Sequence, residues 1–246
     1  LALLGALTST LIYRMGRVLG LPSRTAIAAG ILFGVRPAVL FLPVSGMGSD
    51  MVFVFLLTIC LYLLLSLEQS DTKWLLAIII GGILGYATLT RPIGQYLSLI
   101  IIVAIPFFAQ ARYIPRVRQT LILLGLAFGT FVLVLTPWLI RNYQVAGHAQ
   151  ISSLSTYSMG YYNIPAFLSF YKGTSESVER QRILDSIGNP PDRTLRSLFY
   201  TNEWAEIDRE FLKVYALPYL GFHIIKTIPF FLGSGVLPPG LTLDRT

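Results

Sequence analysis

The sequence predicts an all-α protein: a polytopic bundle of transmembrane helices with a small, mostly helical extracytoplasmic segment. Hydrophobic residues make up 54% of the 246 residues and charged residues only 13%, whereas soluble domains carry about 25% charged residues. The apolar stretches are continuous rather than alternating, which favours membrane helices over a β-barrel. This composition excludes an ordinary soluble enzyme, a disordered chain and a coiled coil. The single cysteine excludes a disulfide scaffold.

Apolar segments of the length of a bilayer-spanning helix, roughly 17–25 residues, recur up to residue 140. Four of these segments carry no charge, one at 25–43 is interrupted only by Arg36, and the first is a truncated span. The segments are 1–13, 25–43, 51–67, 74–90, 92–111 and 119–140. We therefore predict a transmembrane bundle of about six spans over residues 1–140.

Basic residues cluster at the ends of these spans, so the net charge of +7 indicates membrane topology rather than a nucleic-acid partner. The loops at 14–24, 67–73 and 111–119 hold most of them and are expected to be cytoplasmic. The loop at 44–50, the turn at 91–92 and the chain just after residue 140 are then expected to face outward. The basic residues of the cytoplasmic loops are Arg14, Arg17, Arg24, Lys73, Arg112, Arg116 and Arg118.

The composition changes after Arg141, and we predict an extracytoplasmic segment over residues 141–216 that is rich in acids, Tyr and Ser. Thr174-Ser175-Glu176 is a capping sequence for a short helix over 175–187, which Gly188-Asn189-Pro190-Pro191 ends. Thr201-Asn202 can cap a second helix that Pro218 ends or kinks. Residues 217–246 are expected to form an interfacial helix and a truncated end, because 217–232 is apolar, aromatic and short.

Three ionisable residues occupy the outward ends of the predicted spans. Asp50 opens the span 51–67, Arg91 closes 74–90 and Arg141 closes 119–140. Ionisable groups at this depth are costly unless they are paired, hydrated or used. Two guanidinium groups and a carboxylate on one face suit an anionic, lipid-linked substrate, because Arg binds phosphate oxygens through a planar fork of donors. The carboxylate of Asp50 could hold a divalent metal or act as a base.

Each of these residues also has a structural interpretation. An Arg at a helix end often snorkels to the headgroups or sets topology, and Asp50 is a good N-cap. Tyr157, Tyr161 and Tyr162 could stack on a sugar or simply pack. The two histidines show no metal-ligand spacing, and no phosphate-binding loop or hydrolase motif is present.

Three stretches together resemble the polytopic GT-C glycosyltransferases that take sugars from polyprenyl-phosphate donors. These include the protein O-mannosyltransferases (glycosyltransferase family 39) and the bacterial lipid A aminoarabinose transferases. The resemblance covers about residues 1–230, and a segment containing Ser, Gly and Asn follows at 152–163. The three stretches are Gly48-Ser49-Asp50-Met51, Gly85-Tyr86-Ala87-Thr88-Leu89-Thr90-Arg91-Pro92 and Thr136-Pro137-Trp138-Leu139-Ile140-Arg141-Asn142-Tyr143.

The resemblance implies a glycosyltransferase that moves a sugar to an acceptor hydroxyl of a protein, lipid or glycan on the outer face of the membrane. Arg91 and Arg141 would hold the donor phosphate, and Asp50 would be a supporting acid or a metal ligand. The principal catalytic acid would lie in an outer loop upstream of Leu1. Candidate residues of the substrate cavity are Asn142, Tyr143, Tyr161, Tyr162 and Asn163.

Two other functions remain open from the sequence: a multi-pass transporter or lipid flippase, and a non-catalytic assembly subunit. The expected membrane is the bacterial inner membrane, because the sequence has no N-glycosylation acceptor site. The chain begins inside an apolar segment and ends without a terminal helix. We therefore expect it to be a fragment that lacks transfer activity by itself.

Overall fold

The fold was obtained as a computed structural model, which describes residues 1–36, 48–109, 117–189 and 200–232, without the side chains of 155 and 226–232. All regular secondary structure in these ranges is helical, which confirms the all-α prediction. The chain divides into two compact units, Leu1–Ile151 and Ser152–Thr246. Some of the residues named in the predictions lie outside the described residues. These are Arg112, Arg116, Pro190-Pro191 and most of the loop at 44–50.

The first unit contains six helices within its described ranges, at the positions of the predicted spans. Three of them, α3, α4 and α6, are long and apolar enough to cross a membrane, and α5 is apolar but shorter. α6 continues through Arg141 to Ala146. The helices are α1 (Ala2–Val18), α2 (Ser23–Gly34), α3 (Gly48–Ser66), α4 (Lys73–Thr90), α5 (Gly94–Ala109) and α6 (Val117–Ala146).

Helix α4 lies at the centre of this unit. It is antiparallel to α3, where the Cys60 thiol donates to the Ile80 carbonyl oxygen at 3.9 Å. It is also antiparallel to α5, because Lys73 at its start donates to the Ala109 carbonyl at the end of α5, at 2.7 Å. This bond satisfies one of the carbonyl groups that a helix C-terminus leaves unpaired. The buried core side chains of α4 include Ala77, Ile80 and Leu84.

Two glycines of α4 allow close packing against α6. A Cβ atom at Gly81 would lie 2.9 Å from the Ala127 Cα atom, and one at Gly85 would lie 2.8 Å from the Val134 Cβ atom. Small residues at such contacts let helix backbones approach, as is common in membrane bundles. The later glycine on α4, Gly85, meets the later residue on α6, Val134, whereas Gly81 meets Ala127. The two helices therefore run parallel.

The second unit is a set of shorter helices followed by one long helix. Ser175 caps α9, accepting a hydrogen bond from the Val178 N–H at 3.3 Å, as the sequence predicted. Helix α10 does not end at Pro218 but continues to Leu232. The elements are α7 (Leu154–Ser158), a π-helical turn (Met159–Asn163), α8 (Ile164–Lys172), α9 (Glu176–Ser186) and α10 (Thr201–Leu232).

Aromatic packing stabilises helix α10 on both sides of its proline. On both sides of Pro218, Tyr215 and Tyr219 contact the ring of Phe167 in α8, with centroid distances of 5.7 and 5.6 Å. A proline inside a helix removes one backbone hydrogen bond and costs about 3 kcal/mol. Burying these large side chains stabilises the helix by a free energy of similar magnitude, so the contacts with α8 offset the cost of the proline.

The α4–α6 contact predicts a difference between two adjacent glycines. Gly81→Ala should lower the midpoint of thermal unfolding by several degrees, because overpacking against backbone costs about 1–3 kcal/mol. Gly82→Ala is the matched control, since a Cβ atom there meets only the Thr130 methyl group at 3.6 Å. Thermal unfolding in detergent micelles tests this, and equal midpoints for the two variants would contradict the close approach.

Candidate functional site

Asp50 and Arg91, which are distant in sequence, form an ion pair. Asp50 lies in the first turn of α3, and Arg91 follows the last residue of α4 with an extended backbone. The side chain of Asp50 is 21% exposed and that of Arg91 is 43% exposed, so a ligand can reach the pair. The antiparallel α3–α4 hairpin therefore brings together two of the three ionisable residues singled out in the sequence.

The turn that follows α4 holds Arg91 in place. The Arg91 N–H donates to the Ala87 carbonyl at 3.0 Å, and the Gly94 N–H donates to the Arg91 carbonyl at 2.8 Å. A Cβ atom at Gly94 would lie 2.9 Å from the Thr88 Cα atom, so this turn requires glycine. Beneath it, the buried hydroxyl groups of Thr88 and Ser98 are 3.2 Å apart.

Sequence analysis missed Ser98 and Gly94 as supports of this turn. Ser98 also donates to the Leu84 carbonyl at 3.3 Å, which ties the start of α5 to the end of α4. The sequence did hold a signal for Ser98, which is a hydroxyl residue within an apolar span. A buried polar group of this kind needs a hydrogen-bond partner.

Arg141 is held by its own neighbours at the end of α6. Its Nη1 atom donates to Asn142 Oδ1 at 2.9 Å, and its guanidinium group lies 5.0 Å from the centre of the Trp138 ring. Asn142 Nδ2 donates to the Gln150 carbonyl at 2.7 Å, and Trp138 Nε1 donates to the Ile151 carbonyl at 2.9 Å. These bonds fold the segment after α6 back onto the helix.

The side chain of Asn142 is fully buried, and both its oxygen and its nitrogen are hydrogen-bonded. This geometry makes Asn142 a residue that holds Arg141 in place. The sequence analysis had placed Asn142 among the candidate residues of the substrate cavity, and that role stays a prediction. Tyr143, another of those candidates, is 62% exposed.

The parallel packing of α4 and α6 places Arg91 and Arg141 at the same end of the first unit. Gly81 meets Ala127 and Gly85 meets Val134, so residue 91 lies level with about residues 137–140 at 1.5 Å per residue. Each guanidinium group has five N–H donors, more than the contacts described above use. Both arginines therefore keep N–H donors free at the same end of this unit.

The candidates Tyr161, Tyr162 and Asn163 belong to the second unit, in its π-helical turn. The Tyr161 ring stacks on buried Tyr157 at a centroid distance of 5.1 Å, and Tyr162 is 42% exposed. Arg180 Nε donates to the Tyr161 carbonyl at 3.1 Å, and its guanidinium group lies over the Tyr161 ring. The two tyrosines are therefore part of a packed aromatic cluster, from which Tyr162 is partly accessible.

Two buried carboxyl groups of the second unit have opposite environments. Burial alone would raise the pKa of Glu179, but hydrogen bonds from Thr174 and Lys172 and the positive charges of Lys172 and Arg182 lower it below its usual value. Asp208 is 8% exposed, and its Oδ1 atom has no hydrogen-bond partner. Burial raises the pKa of Asp208 to about 7, so of these two carboxyl groups it is Asp208 that titrates near neutral pH.

Among the described residues, no three His, Cys, Asp or Glu side chains are grouped so as to hold a metal ion. A divalent metal at Asp50 would therefore need further ligands, such as the oxygens of a bound phosphate. The metal at Asp50 stays a prediction.

The chain matches no protein-family model, no curated protein and no solved structure. Its function is therefore inferred from the helices and side chains described above.

The raised pKa of Asp208 predicts that stability falls as the pH rises. The folded state holds a proton up to about pH 7, whereas the unfolded chain releases it near pH 4, so unfolding becomes easier between these values and levels off above them. Asp208→Asn should remove this loss, on the order of 4 kcal/mol over the window.

Thermal unfolding followed by tryptophan fluorescence from pH 4 to 9 measures this effect. Glu210→Gln is the control, because Glu210 lies on the same helix with its side chain 61% exposed. Parallel pH profiles for Asp208→Asn and the native chain would show that Asp208 is not the buried acid described.

Proposed function

We propose that the chain is part of an integral membrane glycosyltransferase, which transfers a sugar from a polyprenyl-phosphate donor to an acceptor hydroxyl on the outer face of the membrane. The observation that carries the proposal is the Asp50–Arg91 ion pair at one end of α3 and α4, two helices long and apolar enough to cross a membrane. Arg141 lies at the same end. Such a site would meet a phosphate at the depth of the lipid headgroups.

The chemistry of the reaction explains why fixed cations are useful there. When the glycosidic bond breaks, the leaving polyprenyl phosphate gains negative charge, which must be stabilised as it develops. Donors held in position before the reaction do this best, and loss of one costs about 3–4 kcal/mol of activation free energy. Arg91 and Arg141 are each held by neighbouring polar groups, so both meet this requirement. Asp50 then acts as a supporting acid that orients Arg91.

A multi-pass transporter or flippase is the alternative, and the positions of the charges favour the enzyme. Transporters commonly carry ionisable groups near the bilayer midplane, at interruptions of their helices. In α3, α4 and α6 the charged residues lie near the helix ends. Asp50, Lys73 and Arg118 lie in first turns, and Arg141 lies five residues before the end of α6. The proposed donor, a polyprenyl-phosphate sugar, and the positive-inside pattern of the loops are consistent with a bacterial inner membrane and an outward-facing site.

Arg91→Ala and Arg141→Ala, made in the full-length protein that contains this chain, test the proposal. Each should lower transfer by about 100–1,000-fold, the effect of losing one preorganised donor. Transfer is measured as release of polyprenyl phosphate from a panel of polyprenyl-phosphate sugars, beginning with mannose and aminoarabinose, without an ion gradient. Lysine at each position should restore part of the rate, since it keeps the charge but not the planar fork.

Arg118→Ala is the matched control, because Arg118 lies at the opposite end of α6 from Arg141 and is exposed. It should leave transfer unchanged. Native rates in Arg91→Ala or Arg141→Ala would remove that residue from the site. Lipid movement across the bilayer without sugar transfer would favour the flippase.

A further inference from the structure

Helices α1 and α2 form a hairpin with an apolar groove along one side, the α1–α2 groove, which has a volume of about 410 Å³. A Cβ atom at Gly30 would lie 2.8 Å from the Ser9 carbonyl oxygen, so the two backbones are in contact there. The hydroxyl groups of Ser9 and Thr10 donate to carbonyl groups of their own helix, at 3.0 and 2.9 Å. The residues that line the groove include Ser9, Thr10, Tyr13, Ile27, Gly30 and Ile31.

Two arginines stand at the end of the groove that is nearest the turn between the helices. Arg17 follows Tyr13 by four residues on α1, and Arg24 precedes Ile27 by three residues on α2. Because residues three or four apart share a helix face, each arginine lies on the groove side of its helix. Both arginines are exposed.

The turn holds the two arginine-bearing helix ends together. A Cβ atom at Gly16 would lie 3.0 Å from the Ala26 Cβ atom, and the Leu21 N–H donates to the Gly16 carbonyl at 2.9 Å. Arg17 Nη1 donates to the Leu21 carbonyl at 2.9 Å, which fixes its guanidinium group at the turn. The other N–H donors of this guanidinium group stay free for a ligand.

No carboxylate in this part of the chain neutralises these arginines. Residues 1–49 contain four arginines and no Asp or Glu. Neither Arg17 nor Arg24 takes part in an ion pair within the described ranges. An apolar groove with unpaired cations at one end is complementary to an amphiphile that has an apolar chain and an anionic headgroup.

We propose that the α1–α2 groove binds one anionic phospholipid from the leaflet around it. The phosphate would lie on the guanidinium groups of Arg17 and Arg24, and an acyl chain would lie along Ile27 and Ile31. Arginine suits this role because its planar fork of donors matches the oxygens of a phosphodiester. The groove supplies the apolar contact that a solvated cluster of surface charges lacks.

The arginine end of the groove lies at the depth of phospholipid phosphates. Leu1 of α1 meets the start of α3, where its Cδ1 atom lies 3.4 Å from the position of a Cβ atom at Gly48. Because α1 packs along α3 from this end, the α1–α2 turn is level with the end of α3 near Ser66. Helix α3 is long and apolar enough to cross a membrane. Basic pockets between such helices bind anionic headgroups where the helices leave the hydrocarbon core.

Two other occupants fit these observations less well. A helix of the same or another protein would cover the groove but leave Arg17 and Arg24 without an anion. The polyprenyl-phosphate donor proposed above has its phosphate at the opposite end of the unit, on Arg91 and Arg141. The inference therefore does not rest on the proposed function.

Native mass spectrometry of the chain in detergent micelles tests the proposal, with dioleoylphosphatidylglycerol and dioleoylphosphatidylcholine as probes that share their acyl chains and differ in net charge. The double variant Arg17→Gln/Arg24→Gln removes the cations. Arg118→Gln is its matched control, because Arg118 is exposed at the same end of the unit on α6. Ile31→Trp fills the groove and keeps the arginines, and Leu32→Trp is its control, since Leu32 is 65% exposed outside the groove. Circular dichroism confirms that each variant is helical.

The native chain should bind one phosphatidylglycerol at least about tenfold more tightly than phosphatidylcholine, the effect of one hydrogen bond to a charged group or more. The double variant should lose this preference, and Ile31→Trp should weaken binding of both lipids. The two control variants should behave as the native chain does.

Four results would overturn the proposal. A preference that the double variant retains, or that Arg118→Gln loses equally, would mean that the charge acts diffusely. Native binding in Ile31→Trp would mean that the groove holds no acyl chain. Absence of bound lipid on the native chain would leave the groove to a protein segment. Tighter binding of a polyprenyl phosphate than of phosphatidylglycerol would assign the groove to the donor lipid.

Discussion

The close contact between α4 and α6 is the constraint on which the first unit depends. Gly81 and Gly85 leave no room for a side chain between the two backbones. Inside a bilayer no hydrophobic effect drives helices together, because the lipid tails are as apolar as the side chains. Close packing and interhelical hydrogen bonds therefore hold a bundle together. The contact also fixes the register of two parallel helices. Because the register is fixed, Arg91 and Arg141 lie at the same end, and the α3–α4 hairpin adds Asp50 to that end.

Both arginines are held by polar groups that restrict the guanidinium without enclosing it. Asp50 pairs with Arg91, which stays 43% exposed, and the Asn142 amide binds Arg141 while its other end is tied to the Gln150 carbonyl. An ion pair that only neutralised charge would explain Asp50 and Arg91. It would not explain a second cation, at the same end, with its own buried positioning residue. Preorganised donors that keep free N–H groups are what a leaving phosphate needs.

The sequence predicted what depends on local composition. The spans at 51–67 and 74–90 match α3 and α4 within a few residues, because a run of apolar residues determines a membrane helix by itself. The Ser175 cap is equally local. Three other features could not be predicted, since each joins segments that meet only after packing. They are the contacts of Asn142, the hydrogen bond between Thr88 and Ser98, and the glycine requirement at Gly94. The same holds for α10, where contacts with α8 carry the helix past Pro218.

The central claim is that Asp50 and Arg91 act as one unit on the substrate phosphate. A double-mutant cycle on the full-length protein, with Asp50→Asn, Arg91→Gln and both together, tests it most directly through kcat/KM for polyprenyl phosphate release. If Asp50 works by orienting Arg91, removing it after Arg91 is gone should have little further effect. The two losses should then fall short of additive by more than about 1 kcal/mol, the size of coupling between contacting residues. Additive losses, or native rates in the single variants, would contradict the account.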